Sequence, residues 1–420
     1  MTKWVTKGFE AFRRGTFGNS GQNLYVSQKG VLQRIYQYDL NRDGYFDLVF
    51  ANCQNHSEAT PSYVYDLDGS RVELPGQGAL SGTVGDLTGN GYDDIVIAGH
   101  YALSAPYVSS DIYYGSARGY SENFHMCIPT PFAEDCCNGD FKGTGKPALA
   151  FAMPTYNVIR VFYQSEVGFE FDEYVDMPVK ANLIAATDLD GDGYCDLIVR
   201  QTDDTNTTVY WGGSDGINPE NKTVLPAIPA SEILQPQEEV EVQSEMEKKF
   251  PTPRLLKNVV WQGRNCFILS TGKRLMFFAA RNRELECVLS VDVLMAVSAA
   301  VGDIDGDGYD DIAVAAQVRN PDDAQKQCSF IIWGGPDGID KRERTVIDSK
   351  QACDVAICDN MVLFCQACSG HSYENDSLLF RYPDFNNSQK FVSQDSRRCF
   401  FLKNPDKTRI FIQNHLSRSS

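Results

Sequence analysis

A run of Asp and Gly leading into an apolar strand recurs along the chain: DLNRDGYFDLVFA from Asp39, DLTGNGYDDIVIA from Asp86, DFKGTGKPALAFA from Asp140, DLDGDGYCDLIVR from Asp188 and DIDGDGYDDIAVA from Asp303. The steps are 47, 54, 48 and 115 residues, and the last is long enough to hide one more unit. NVVWQGRNCFILS from Asn258 fits that gap, keeping Gly263 in the turn and an apolar strand after it. Two degenerate copies follow, CDNMVLFCQ near Asp359 and FLKNPDKTRIFIQ from Phe401, which makes eight. A second signature alternates with the first, an apolar strand entering a Gly-containing turn: DIYYGSARGY, RVFYQSEVGF, TVYWGGSDGI and FIIWGGPDGI, with weaker versions near Tyr65, Phe277 and Phe380. Its earliest copy, NLYVSQKGVLQ from Asn23, precedes any Asp-rich loop.

Each unit therefore reads as four short strands, rich in β-branched and aromatic residues and joined by turn chemistry. A period of about 50 residues with four strands per unit predicts a β-propeller, whose ring leaves only short, protected sheet edges. The chain opens on the second half of a unit and ends on the first half of one. That split predicts closure by a blade shared between the two ends. The expectation is an all-β, closed propeller of four-stranded blades in a single domain over 1–420. Eight blades is the preferred count, with seven if Phe401 to Asn414 is merely a closing strand. An acidic, proline-bounded stretch at about 224–253 reads as a long loop insertion.

Composition narrows the function classes. No apolar run approaches the ~20 residues needed to span a bilayer, so an integral membrane protein is not expected. Thirty-eight basic residues against 56 acidic ones give a net charge of −18, which argues against nucleic acid as partner. The 13 cysteines are odd in number and lack framework spacing, so no disulfide scaffold is expected. The N-terminal stretch has positive charge but no apolar core of a signal peptide, and the compartment stays open. A monomer is expected.

On these repeats the chain resembles the FG-GAP and VCBS repeat families, the propellers of integrin α-subunits, of many bacterial proteins and of some fungal lectins. The resemblance covers essentially the whole chain. It speaks for the fold and for calcium, and little for activity, since such propellers serve adhesion, sugar binding and catalysis alike.

The loop pattern D-x-[DN]-x-[DN]-G-x-x-D turns alternate side-chain oxygens toward one point and adds a backbone carbonyl from the seventh residue. Hard oxygen donors of this kind suit calcium. Three loops are complete: Asp39, Asn41, Asp43 and Asp47 with the carbonyl of Tyr45; Asp188, Asp190, Asp192 and Asp196 with Tyr194; Asp303, Asp305, Asp307 and Asp311 with Tyr309. A fourth, Asp86, Thr88, Asn90 and Asp94 with Tyr92, carries less charge and should bind more weakly. In the Asp140 repeat Lys142 occupies a ligand position and Ala148 replaces the last Asp, so that loop should be metal-free. An EF-hand is excluded because its twelfth position, Phe50, Val199 or Val314, offers no carboxylate. About four structural calcium ions are expected, and such loops point to an extracellular or cell-surface setting.

If the metal loops mark one face of the ring, the connections after each second strand mark the other. The resemblance to integrin propellers implies that this other face binds ligand. His56, His100, His371 and His415 fall in these connections, with Tyr101, Tyr156, Arg200, Lys273 and Arg319. Such a set offers hydrogen-bond donors, stacking planes and positive charge, suited to a glycan, especially an acidic one, or to a protein. A calcium-stabilised recognition module is the leading reading. A polysaccharide lyase or glycoside-cleaving enzyme using His, Tyr and Arg at the propeller mouth is the alternative.

Overall fold

The computed structural model describes residues 60–76, 78–100, 108–200, 206–233, 255–320, 323–339, 344–349, 352–367 and 375–415, together with the backbone of short strands before residue 58 and after 416. The chain divides into two compact units, 58–416 and a smaller one of 1–57 with 417–420.

The larger unit contains seven antiparallel sheets of four strands each. The first six blades begin at the inner strands Ala79–Gly85, Asp135–Gly139, Leu183–Thr187, Leu256–Trp261, Ala296–Gly302 and Ala352–Cys358. In each, the chain steps outward strand by strand. The seventh is composite: Ser396–Lys403 and Thr408–Asn414 from the end of the chain pair with Ser62–Asp66 and Arg71–Leu74 from near its start, Phe411 lying opposite Val64.

Closure through a shared blade was expected, but its partner differs. The C-terminal half-unit joins the strands around Tyr65, not those from Asn23. The preferred count of eight also gives way to seven. The Asp39 repeat belongs to the smaller unit, where Asn23–Val26, Leu32–Tyr38 and Asp47–Asn52 make a sheet of only three strands. His56–Ser57 pairs there with Ser417–Arg418. The ring thus takes 58–416 of the 420 residues. The acidic stretch is described only as far as Ile233, which bridges Gly272; its glutamates after Glu232 lie outside the described residues.

Burial explains why the ring holds. The second strands Asp94–Gly99, Ala148–Met153 and Met361–Gln366 are buried at every position, since both faces of a blade pack on neighbours. The outer strand His125–Ile128 is mostly exposed. Seven apolar clusters fill the seven interfaces between successive blades. One of them sets Val64, Leu402 and Phe411 of the composite blade against Ile95, Ile97 and Tyr113 of the first, so the ring is closed by packing.

Charged side chains from inner strands cross the middle of the ring. Asp354 of the sixth blade is fully buried and accepts from Lys257 of the fourth (3.0 Å), Ser298 of the fifth and the Cys399 backbone N–H of the seventh (3.0 Å). Arg398 of the seventh blade reaches Asp135 of the second (3.3 Å) and Ser81 of the first (3.3 Å). Asp135 also accepts from the backbone N–H of Ile184 in the third (3.0 Å). All seven inner strands contribute a group to this network. Contacts between non-adjacent blades require that these side chains span the axis.

Candidate metal centres and the opposite face

Three described loops join the first and second strands of their blades and share one wiring. The leading Asp folds the loop onto itself: Asp188 Oδ1 accepts from the N–H groups of Gly191 (2.8 Å) and Asp192 (3.1 Å), and Oδ2 from Gly193 (3.0 Å). Asp303 does the same with Gly306, Asp307 and Gly308, and Asp86 with Gly89, Asn90 and Gly91. The bend needs the left-handed region, with φ of 77° at Gly191 and 89° at Gly193, where glycine avoids the Cβ clash.

The closing Asp of each loop is buried and ties the loop to the outer hairpin of its blade. Asp196 accepts from Leu189 (2.8 Å) and from Gly212 (2.9 Å), Asp311 from Ile304 and Gly334, and Asp94 from Leu87 and Gly115. This explains the glycine after the aromatic in TVYWGG and FIIWGG. A Cβ on Gly212 would stand 2.3 Å from the Cys195 carbonyl oxygen, and one on Gly334 2.3 Å from that of Asp310.

Carboxylate oxygens of Asp188, Asp190 and Asp196 lie within 4.8 Å of one another, as do those of Asp303, Asp305 and Asp311. Burial pushes Asp196 up to about 7, with Asp190 and Asp192 adding to the rise. Asp94 is pushed up to about 6, again chiefly by burial, and Asp311 is raised for the same reason. Asp190 Oδ1 is buried and has no hydrogen-bond partner. Its other oxygen meets Arg283 Nε at 2.9 Å, and Asp192 meets the same guanidinium at 3.0 Å. These donor sets fit a hard divalent cation, for which the orphaned oxygen would be an available donor.

The Asp86 loop offers two carboxylates where the others offer four. Asn90 there turns its amide toward the Gly115 carbonyl (3.0 Å). In the Asp140 loop Lys142 does not enter the turn; its ammonium lies 4.1 Å from the centre of the Tyr163 ring. Asp39, Asn41, Asp43 and Tyr45 lie outside the described residues, and Asp47 is placed only as strand backbone.

On the opposite ends of the strands, His100, Phe132 and Tyr156 form a row across the first two blades. His100 packs edge-on to Phe132 at 6.1 Å between ring centres, and Phe132 lies 6.2 Å from Tyr156. Tyr156, 45% exposed, ends a short 3-10 turn, Pro154–Tyr156, that Asn157 closes in the left-handed conformation. Phe132 is the residue that sequence reasoning misses. It sits in the connection between blades, in IPTPFAE, whereas the histidines that mark this face in the sequence lie in connections after second strands.

Other expected ligand residues have partners within the ring. Arg200 donates to the carbonyls of Leu255 and Ser270 of the next blade, both at 3.2 Å, and burial lowers its pKa. His415 faces the Ala79 carbonyl through Nδ1 (2.6 Å), and its pKa is held down to about 4, by burial first and by Arg397 next. Lys273 donates to the Ser231 carbonyl (3.3 Å). Tyr101 and His371 lie outside the described residues; His56 and Arg319 are placed only as strand backbone.

Residues 295–326, which carry the Asp303 loop, match the FG-GAP repeat. No curated protein matches the chain. Among solved structures it is similar to a protein from Lactobacillus plantarum at 11% identity and a TM-score of 0.47, over 83% of this chain and 91% of that one. A putative 6-phosphogluconolactonase from Bacteroides fragilis gives 11% identity and 0.49, over 85% and 99%. The Dos1 propeller gives 12% identity and 0.42, over 86% and 88%. Among the described residues no helix is long and apolar enough to cross a membrane.

Proposed function

We propose that this FG-GAP-containing propeller is a calcium-stabilised recognition module that binds a glycan or protein on the face opposite its Asp-rich loops. The observation that carries the calcium half is the Asp188 loop. It gathers one buried and two half-buried carboxylates at one point, pushes Asp196 up to about 7 and leaves Asp190 Oδ1 without a partner. A divalent cation would hold Asp196 ionised and take the orphaned oxygen as ligand. When bound, calcium supplies charge neutralisation and crosslinks loop to hairpin. Asp188, Asp190, Asp192 and Asp196 would hold one ion, Asp303, Asp305, Asp307 and Asp311 a second, and the Asp86 loop a weaker one. The Asp39 loop is proposed on its sequence alone.

The row of His100, Phe132 and Tyr156 supports the ligand half. Aromatic faces beside polar ring atoms suit the apolar face and hydroxyls of a sugar. A module needs only this display. The lyase alternative needs His, Tyr and a free Arg held together, whereas Arg200 is committed to two carbonyls and half-buried His415 faces the Ala79 carbonyl.

The test is a polysaccharide panel run on protein of known calcium content. Binding that falls on Phe132→Ala or Tyr156→Ala, without a change in calcium or Tm, supports the module. New reducing ends or unsaturated uronate absorbance, lost on His100→Ala, would replace it with the enzyme. Dialysed protein that holds no calcium and ignores chelator removes the metal half.

A further inference from the structure

Away from both faces, the two outer strands of the first blade bring together three donors of different chemistry. Cys127 and His125 stand two residues apart on His125–Ile128 and so share a face. Asp111 on Ser110–Tyr113 is the cross-strand partner of Cys127. Cys127 Sγ lies 3.6 Å from His125 Nε2 and 3.2 Å from Asp111 Oδ1. One donor atom from each lies within 4.8 Å of the others.

We propose that Asp111, His125 and Cys127 form a binding site for a borderline-soft transition metal, zinc before others, separate from the Asp-rich loops. Tetrahedral zinc with bonds of about 2.3 Å to sulfur and roughly 2.0–2.1 Å to nitrogen holds those two donors about 3.6 Å apart. The Cys127–His125 separation already has this value. The sulfur–carboxylate distance is shorter because a thiol proton bridges the pair, and it opens by about 0.4 Å once a metal replaces that proton.

The protonation pattern points the same way. His125 Nδ1 faces the Glu122 carbonyl oxygen, which can only accept, so Nδ1 carries the hydrogen and Nε2 presents its lone pair to the cluster. A histidine ligand anchored at its other nitrogen by a carbonyl is the usual outer shell of a metal site. The Tyr113 ring stacks on the imidazole at 5.2 Å and holds its plane. Two lone-pair donors thus face the one thiol hydrogen on Cys127, which binding would release to solvent.

The site opens on a cleft of about 950 Å³ between the composite blade and the first, lined also by Glu73, Tyr120 and Asn123. Three protein ligands leave a fourth position toward this cleft, for water or an incoming ligand group. Calcium would not select such a site, because thiolate and imidazole are poor ligands for a hard cation.

Zinc titration of the full chain in saturating calcium should show one equivalent bound, and cobalt substitution should give a thiolate-to-metal absorption band. Cys127→Ser should remove the band, and His125→Ala should weaken zinc by more than ~100-fold. Cys287→Ser, at an exposed cysteine elsewhere, should change neither. Zinc should also slow alkylation of Cys127 in the unmutated protein about tenfold or more, read by peptide mass, which keeps the test valid if a variant misfolds. No zinc uptake, uptake indifferent to Cys127→Ser, or no protection of Cys127 would each overturn the site.

Discussion

The middle of the ring and the Asp-rich loops both bury carboxylates, but they neutralise them differently. At the axis each acid meets a cation of the chain: Asp354 has Lys257, and Asp135 has Arg398. Burial alone would raise Asp354, yet Lys257 and Arg398 hold it below the usual carboxylate range. In the loops the sign reverses, and Asp94, Asp196 and Asp311 are all raised. At the axis every such acid has a cation of the chain, whereas among the closing loop acids Asp94, Asp196 and Asp311 the raised values follow from burial and neighbouring carboxylates.

If that contrast is right, damage at the axis should be large and indifferent to calcium. Asp354→Ala strands the Lys257 ammonium among buried groups and should cost about 3 to 5 kcal/mol. Thermal or urea unfolding checks this, and the loss should be equal in calcium and in chelator. A calcium-dependent loss would mean that the two regions are one system.

Loop damage should be smaller and should vanish in chelator. Each ion at tenfold excess over its dissociation constant adds ~1.4 kcal/mol, so Asp305→Ala should lower Tm only when calcium is present and remove one equivalent by elemental analysis. Asp190→Ala should remove another. Survival of both equivalents would show that the ligands are wrongly assigned.

How far these regions were legible in the sequence follows from the same chemistry. Loop ligands are local: Asp188 to Asp196 span one turn, and spacing alone brings their oxygens together. The axial network is invisible to spacing because Lys257 and Asp354, or Arg398 and Asp135, meet only when the ring is formed. The blade count shows a similar limit. The Asp39 repeat has the motif of a blade but sits in a three-stranded sheet, and the half-unit around Tyr65 outcompetes the one at Asn23 for the C-terminal strands. Local pattern marks a repeat; which repeats join the ring depends on pairing between residues as far apart in sequence as Val64 and Phe411.

Titration should set the Asp188 loop against the opposite face, because Asp196 and His415 shift in opposite senses between about pH 4 and 7. Without calcium, Asp196 has an unfolded value of 3.8 and a folded one of about 7. It contributes stability below the first that is lost as pH rises through the second. His415 runs the other way, from 6.5 unfolded to about 4 folded, so its contribution is full above 6.5 and lost as pH falls through about 4. The two windows overlap with opposite slopes, so in chelator these contributions to the melting curves should largely cancel between about pH 4 and 6.5. Calcium, by holding Asp196 ionised, should expose the His415 slope, with stability falling toward acid, and His415→Asn in chelator should expose the Asp196 slope, with stability falling toward pH 7.

The smallest effect tests the comparison inside the loops themselves. The Asp188 loop borrows one guanidinium from the next blade, since Arg283 contacts both Asp190 and Asp192. The corresponding hairpin beside the Asp303 loop carries Pro383 at that position, because Arg281 pairs with Glu284 as Arg381 pairs with Asp384. Among the described residues no cation reaches Asp305 or Asp307. Arg283 thus makes the Asp188 loop a partial copy of the axis, with some positive charge supplied by the chain and the rest left to the ion. Arg283→Met should lower the Tm of the metal-free protein slightly while tightening calcium at that loop by about threefold to tenfold, the range that a half-exposed unit charge produces through a screened medium. The Asp303 loop should not respond. Calorimetric titration resolving two classes of site would read the change, and weaker binding after Arg283→Met would mean that the arginine shapes the loop rather than competing with the ion.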